Sequence, residues 1–212
     1  LRFSRGGQFI ACCAGTVIQI YHTYTGVLHC TLRGHTNRIK SLVWGHLDST
    51  LMSVGAEGAT FFWDLVPIPK KSSEKHHTLL TPFTCGVSPA DGSVAYLATS
   101  DKVVREVPFL KQVDPATGLE GEVREARDVE VGKSLSQLIY DESRKLIVGA
   151  SAEDEQPGHL LTAQASPQLS TSIEWTLVHD SPINVMCQSF DKTQVYSADV
   201  NGSLVISEFE GS

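Results

Sequence analysis

The 212 residues carry 17 Lys and Arg against 24 Asp and Glu, a formal charge of −7, and 41% of them are hydrophobic. That composition sustains a buried core and excludes a long disordered region, while the acidic balance repels phosphate backbones and anionic membranes. With no stretch near the roughly 20 apolar residues of a membrane helix and no signal-like start at Leu1-Arg2-Phe3-Ser4, neither nucleic acid nor membrane is expected as a partner.

Apolar residues alternate or cluster in short runs bounded by Gly, Asp, Asn, Ser and Pro, and no long window keeps helical spacing, so the chain reads as all-β. The first run of strands spans Leu1 to Ser4, Phe9 to Cys13 and Val17 to His22. The second copy of this three-strand sentence opens on Gly34-His35 and closes on Trp63-Asp64. It places strands at Arg38 to Trp44, Thr50 to Gly55 and Ala59 to Asp64, with turns at Gly45 to Ser49 and Glu57-Gly58. Further copies predict strands at Phe83 to Ser88, Val94 to Ser100 and Val103 to Val107, then at Leu135 to Tyr140, Lys145 to Ala150 and His159 to Gln164. The last predicts Ile183 to Phe190, Gln194 to Ala198 and Leu204 to Phe209.

A fourth strand is expected between copies, at Val27 to Leu32, His76 to Leu80, Glu122 to Val129 and Ile173 to Val178. The copies start near residues 1, 38, 83, 135 and 183, a period that matches a four-stranded propeller blade of roughly 40–50 residues. The expected fold is therefore a WD40-type β-propeller with about five four-stranded blades, over residues 1–26, 27–66, 74–109, 122–166 and 172–210, and no second domain. Since the chain begins without Met inside a strand-like run, it reads as a segment of a larger propeller that the rest of its own chain closes.

The motif of the second copy is the most specific signal. Ser53 and Glu57 fall where a WD repeat places Ser or Thr and Asp, so His35, Ser53, Glu57 and Trp63 are expected to form a structural hydrogen-bond network. The same residue types could be taken for a hydrolase triad, but the spacing puts the hydroxyl inside a sheet and no GxSxG elbow accompanies it. No catalytic residue, metal or cofactor is expected. The fifth copy keeps His179, Ser197 and Asn201-Gly202 but has Ser207 in place of the Trp. Asp199, Asn201, Gly202 and Glu208 match part of a calcium loop, without its first acid or its flanking helices. Gly132-Lys133-Ser134 imitates the end of a phosphate loop but lacks the earlier glycine.

Remaining features read as surface. Lys70, Lys71, Lys75, His76 and His77 are expected in a solvated loop, Glu153-Asp154-Glu155 at a hairpin tip, and Asp114-Pro115 with the charged stretch from Glu120 to Glu130 in a long, exposed connection between the third and fourth copies. Cys12, Cys13, Cys30, Cys85 and Cys187 form no CxxC pair and are read as core filler in a reducing compartment. Strand-start and turn positions of a WD repeat face the channel mouth, which makes Asn37, Arg38 and Asp199 the candidate partner contacts.

Beyond the general repeat, Val17-Ile18-Gln19-Ile20-Tyr21, Thr23-Tyr24-Thr25, and Leu32-Arg33-Gly34-His35-Thr36 through Ile39 and Trp44 carry a narrower likeness. Gly86-Val87-Ser88-Pro89 and Ser100-Asp101 through Glu106 add to it. The sequence resembles the axonemal WD-repeat, coiled-coil family of cilia- and flagella-associated proteins. That resemblance implies a non-enzymatic scaffold of the cytoplasm and cytoskeleton, placed in the axoneme of cilia and flagella. Its implied protein partners are inner dynein arm components and doublet microtubule-associated proteins. The alternative is a cytosolic WD40 adaptor such as a ubiquitin-ligase substrate receptor.

Overall fold

The structure, a computed structural model, describes residues 1–45, 48–66, 68–76, 82–89, 93–108, 126–152, 157–166, 168–189 and 191–208, with the side chains of 73–76 excepted. The described residues form five antiparallel sheets. Sheet one runs β1 (Arg2–Phe3), β2 (Phe9–Ala14), β3 (Val17–His22), β4 (Leu28–Arg33), and sheet two β5 (Ile39–Trp44), β6 (Thr50–Gly55), β7 (Ala59–Asp64), β8 (Lys70–His76). Sheet three comprises β9 (Phe83–Val87), β10 (Val94–Thr99), β11 (Val103–Pro108) and β12 (Arg127–Glu130). Sheet four holds β13 (Leu135–Asp141), β14 (Leu146–Ser151), β15 (Gly158–Gln164) and β16 (Ile173–His179). Sheet five holds β17 (Ile183–Gln188), β18 (Gln194–Asp199) and β19 (Leu204–Glu208). Within every sheet, chain neighbours are sheet neighbours, as short hairpin connections require.

The inner three strands of each sheet stand where the alternation of apolar residues predicts them, to within two residues at an end. The fourth strand of sheet two does not. It occupies Lys70–His76 instead of His76 to Leu80, so the basic run read as a loop is a strand paired to β7 from Asp64↔Lys70 to Ala59↔His76. An outer strand needs only backbone partners along one side and covers no core, so Lys-Lys-Ser-Ser-Glu-Lys-His carries no apolar signal. Residues 77–80, the acidic tip at 153–155 and the connection at 109–125 lie outside the described residues. The cysteines also depart from expectation: Cys85 is buried, Cys12 and Cys30 are half-buried, and Cys13 and Cys187 are exposed. Cys187 sits on an outward face of its sheet, so the alternation that buries Met186 turns its neighbour to solvent.

The chain divides into two compact units, residues 1–97 with 107–125, and residues 98–106 with 126–212. In the first unit Ala11, Ile18, Ile20 and Leu32 on one face of sheet one pack against Leu42, Trp44, Leu51, Phe61 and Trp63 of sheet two. The opposite face of sheet two, with Val43, Met52, Val54 and Phe62, packs against Phe83, Ala95, Leu97 and Val107. In the second unit Ile139, Val148, Ala150, Leu160 and Val178 of sheet four meet Ile183, Met186 and Val195 of sheet five. Each Val, Leu, Ile, Phe or Met among them, taken from water, contributes about 1.5–3 kcal/mol before the cost of ordering it.

A shared irregularity fixes the register. In sheets two, four and five the first strand skips one residue after its opening pair: Ile39↔Gly55 is followed by Ser41↔Val54, Leu135↔Ser151 by Gln137↔Ala150, and Ile183↔Asp199 by Val185↔Ala198. A bulge inserts a residue and increases local twist. Its recurrence makes positions in these three sheets directly comparable.

Candidate functional site

The histidine, serine, acid and indole of the second copy come together. β6 and β7 pair so that Ser53 faces Phe61 and Leu51 faces Trp63, which turns the Ser53 hydroxyl and the Trp63 indole to the same side of the sheet. Trp63 Nε1 donates to Ser53 Oγ at 2.8 Å, and Ser53 Oγ lies 2.7 Å from His35 Nε2. On the other side of the ring, His35 Nδ1 lies 2.5 Å from Glu57 Oε1, which also accepts the Thr36 amide at 3.3 Å. Glu57 thus reaches the imidazole despite its extra methylene.

The donors order themselves in one direction. An indole can only donate, so Ser53 Oγ accepts from Trp63 and its own proton goes to His35 Nε2, leaving Nδ1–H to donate to Glu57. His35 is therefore the neutral Nδ1 tautomer. Burial pushes its pKa below the ordinary histidine value of 6.5; Glu57 pulls it back without restoring it, and Lys71 adds to the depression. A protonated ring would place an N–H against Ser53 and strip the hydroxyl proton of its acceptor. Phe61 seals the assembly, stacked on His35 at 4.3 Å and edge-on to Trp63, with Lys71 Nζ 4.6 Å over the Phe61 ring.

Ser53 is 0% exposed and His35 7%. A substrate carbonyl could not approach this hydroxyl without opening the sheet.

Sheet five carries a second version with different wiring. His179 Nε2 lies 2.9 Å from Ser197 Oγ, and the carboxylate facing His179 Nδ1, at 3.5 Å, is Asp199, two residues past the serine rather than four. Asp199 stands where sheet two has Gly55. Its Oδ1 also accepts the amides of Asn201 and Ser203, at 3.0 and 2.8 Å. Burial pushes the Asp199 carboxyl up, but the amides of Ser203 and Asn201 and the nearby His179 outweigh it and hold its pKa below the ordinary carboxylate value. Asp199, expected as a partner contact, is instead 7% exposed and turned onto His179, because its side chain closes the turn. Asn37 and Arg38 are both exposed, Asn37 Oδ1 accepting the Arg38 amide. The signal for the Asp199 role was the Ser-x-Asp spacing, hidden by the apparent fit of Asn201 to the motif frame. Gly202, at φ 87°, makes the turn, and Glu208 bonds Gln194 in the sheet, so the calcium-loop spacing is spent on a hairpin.

Sheets three and four replace the network. Gly149 stands at the register position of Ser53, and Leu97 at the same place along its own strand, while the space over Gly149 is filled by Leu135 and Leu138. Among the described residues no group of three or more His, Cys, Asp or Glu could hold a metal ion.

Against solved structures, the chain matches the β-propeller domain of Myceliophteria thermophila Cps50 (Swd1) with a TM-score of 0.72 over 93% of its length, at 16% identity. The fold is that of a WD40 β-propeller. No protein-family model matches the chain. Among curated proteins it is 34% identical over 109 residues to cilia- and flagella-associated protein 57 of Mus musculus, and 38% identical over 71 residues to cilia- and flagella-associated protein 57 C of Tetrahymena thermophila. Protein 57 A of the same ciliate matches at 21% identity across 98% of the chain. The chain is thus similar in sequence to cilia- and flagella-associated protein 57. It spans 8%, 5% and 18% of the lengths of these three relatives.

Proposed function

We propose that this chain is a non-catalytic scaffold of the ciliary or flagellar axoneme that helps dock or regulate inner dynein arms through protein contacts on its loops. The observation that carries the reading is the likeness to cilia- and flagella-associated protein 57 in both mouse and ciliate. Two features of the chain support it. The His–Ser pairs that resemble catalytic machinery are sealed in sheets, with Ser53 and Ser197 both fully buried. Rigid sheets hold several loops at set positions, so partners can be gathered with little ordering entropy at each contact. Asn37 and Arg38 are the proposed contacts, exposed between β4 and β5.

The test uses the full-length protein in a motile cilium. Detergent-extracted axonemes should retain it, and its deletion should remove inner-arm density from tomograms of the doublets. A protein washed out with the membrane and matrix fraction, or a full set of inner arms in its absence, would overturn the reading. Reversing Arg38→Glu should weaken retention while leaving folding intact.

A further inference from the structure

Two histidines stand side by side on sheet one. His22 ends β3 and His29 is the second residue of β4, across a hairpin in which His22 N donates to Val27 O at 2.9 Å and Gly26 N to His22 O at 2.8 Å. Plain antiparallel pairing continued from Ile20↔Cys30 would set Tyr21 against His29 and His22 against Leu28, leaving the two imidazoles on opposite faces of the sheet. The strands pair Tyr21 with Leu28 instead. His29 is thus the unpaired extra residue of a β-bulge, a device that re-aims a side chain.

The re-aimed ring meets His22. Their centroids are 5.0 Å apart, and each lies 4.9 Å from the ring of Phe9, the residue paired with His22 across β2 and β3. Phe9 is itself backed by Trp44, stacked at 6.2 Å and 12°. Aromatic rings therefore wall one side of the pair, while His29 is exposed and His22 half-buried. Among the described residues no ring nitrogen of His22 or His29 has a hydrogen-bond or ion-pair partner, whereas His35, His159 and His179 all have one. An exposed ring can spend its nitrogens on water; what the bulge adds is a second uncommitted imidazole at a particular distance.

That distance is the one a shared metal ion sets. A zinc–imidazole bond of about 2 Å places each ring centroid about 3.2 Å from the ion, so two imidazoles at a tetrahedral angle have centroids about 5 Å apart. The exposed ring of His29 turns about a soft torsion, so aiming its nitrogen requires no backbone movement. We propose that His22 and His29 form an open site for a divalent first-row metal ion, zinc foremost, with one ring nitrogen from each and water at the remaining positions. Imidazole is a ligand suited to zinc. Two protein ligands are fewer than the four of a closed structural zinc, so the ion exchanges and the fold does not depend on it. The inference rests on sheet one alone and is independent of the axonemal reading.

Carbethoxylation of the full-length protein by diethyl pyrocarbonate, read residue by residue by mass spectrometry, tests it. Zinc chloride should slow modification of both His22 and His29 by about tenfold or more, reversibly with EDTA, and leave His159 unchanged. In His29→Gln the zinc effect on His22 should disappear, and in His22→Gln that on His29, since one imidazole alone holds the ion weakly. Amide exchange of β2 and β3 establishes that each variant is folded. Rates at the two rings that ignore zinc in the unaltered protein would overturn the proposal. So would protection of one ring only, or protection that survives loss of the other ring, either of which would mean separate single-residue contacts.

Discussion

Glu57 reaches His35 across a gap that exists only because residue 55 is glycine. A Cβ placed on Gly55 would stand 2.1 Å from Glu57 Oε2 and 2.4 Å from its Cδ, well inside contact distance. The longer acid and the missing side chain therefore form a pair, and sheet five solves the same problem the other way, by putting the acid itself, Asp199, at the glycine position.

Gly55→Ala should accordingly expel the Glu57 carboxylate and destabilise by about 1–3 kcal/mol, the cost of leaving a buried hydrogen-bonding group unpaired. Urea denaturation of Gly55→Ala, Glu57→Gln and the double variant checks it. The double variant should cost clearly less than the two single changes added together, because both break one contact. Strict additivity would separate the two residues.

Trp63→Ala should cost about 3–5 kcal/mol through lost burial and a broken network, while Trp63→Phe, which keeps most of the ring and loses the N–H, should cost less, about 1–3 kcal/mol. Melting temperatures of the two variants give the comparison. A Phe variant as unstable as the Ala variant would mean that the Ser53 contact dominates over packing.

Acid sensitivity follows from the depressed pKa of His35. The unfolded chain binds a proton on this ring near pH 6.5, and the folded chain resists it, so the unfolded state gains protons first as pH falls. Stability contributed by His35 is fully present above that value and declines below it. Denaturation midpoints should drop between pH 7 and pH 5.5, and the drop should be shallower in His35→Gln, whose side chain does not titrate. Parallel curves for the two proteins would contradict the tautomer assigned above.

Thr60 is fully buried and its Oγ1 has no hydrogen-bond partner among the described residues. Thr60→Val removes that orphan hydroxyl at similar volume, so it should be neutral or stabilising by up to about 1 kcal/mol, against the usual direction of core substitutions. Chemical denaturation suffices; a loss above 1 kcal/mol would reveal a partner for the hydroxyl.

Strand existence was legible wherever one face of the strand meets a core. β5, β6 and β7 announce themselves through alternation and through the Gly34-His35 and Trp63-Asp64 boundaries, because each must present residues to two packed faces. β8 was invisible for the opposite reason: it pairs with β7, but Lys-Lys-Ser-Ser-Glu-Lys-His carries no apolar alternation. The second acid of the site was missed because Asp199 lies off the motif spacing and its role depends on a turn that folds the carboxylate back toward His179. Phe61 over His35 was equally hidden, since a strand phenylalanine is ordinary until the connection between β4 and β5 lays an imidazole against it.

The unequal treatment of one register position has a consequence for how the chain assembles. Near-repeats invite exchange, since a strand of one sheet can be captured by its neighbour while the protein is still forming. Here Ser53 and Ser197 require a histidine partner, Leu97 requires a cavity, and Gly149 leaves room for Leu135 and Leu138. A β14 strand captured by sheet two would strand His35 Nε2, and a β6 strand captured by sheet four would drive a hydroxyl into leucine. Divergence among the copies thus acts as a key that admits each strand to a single lock.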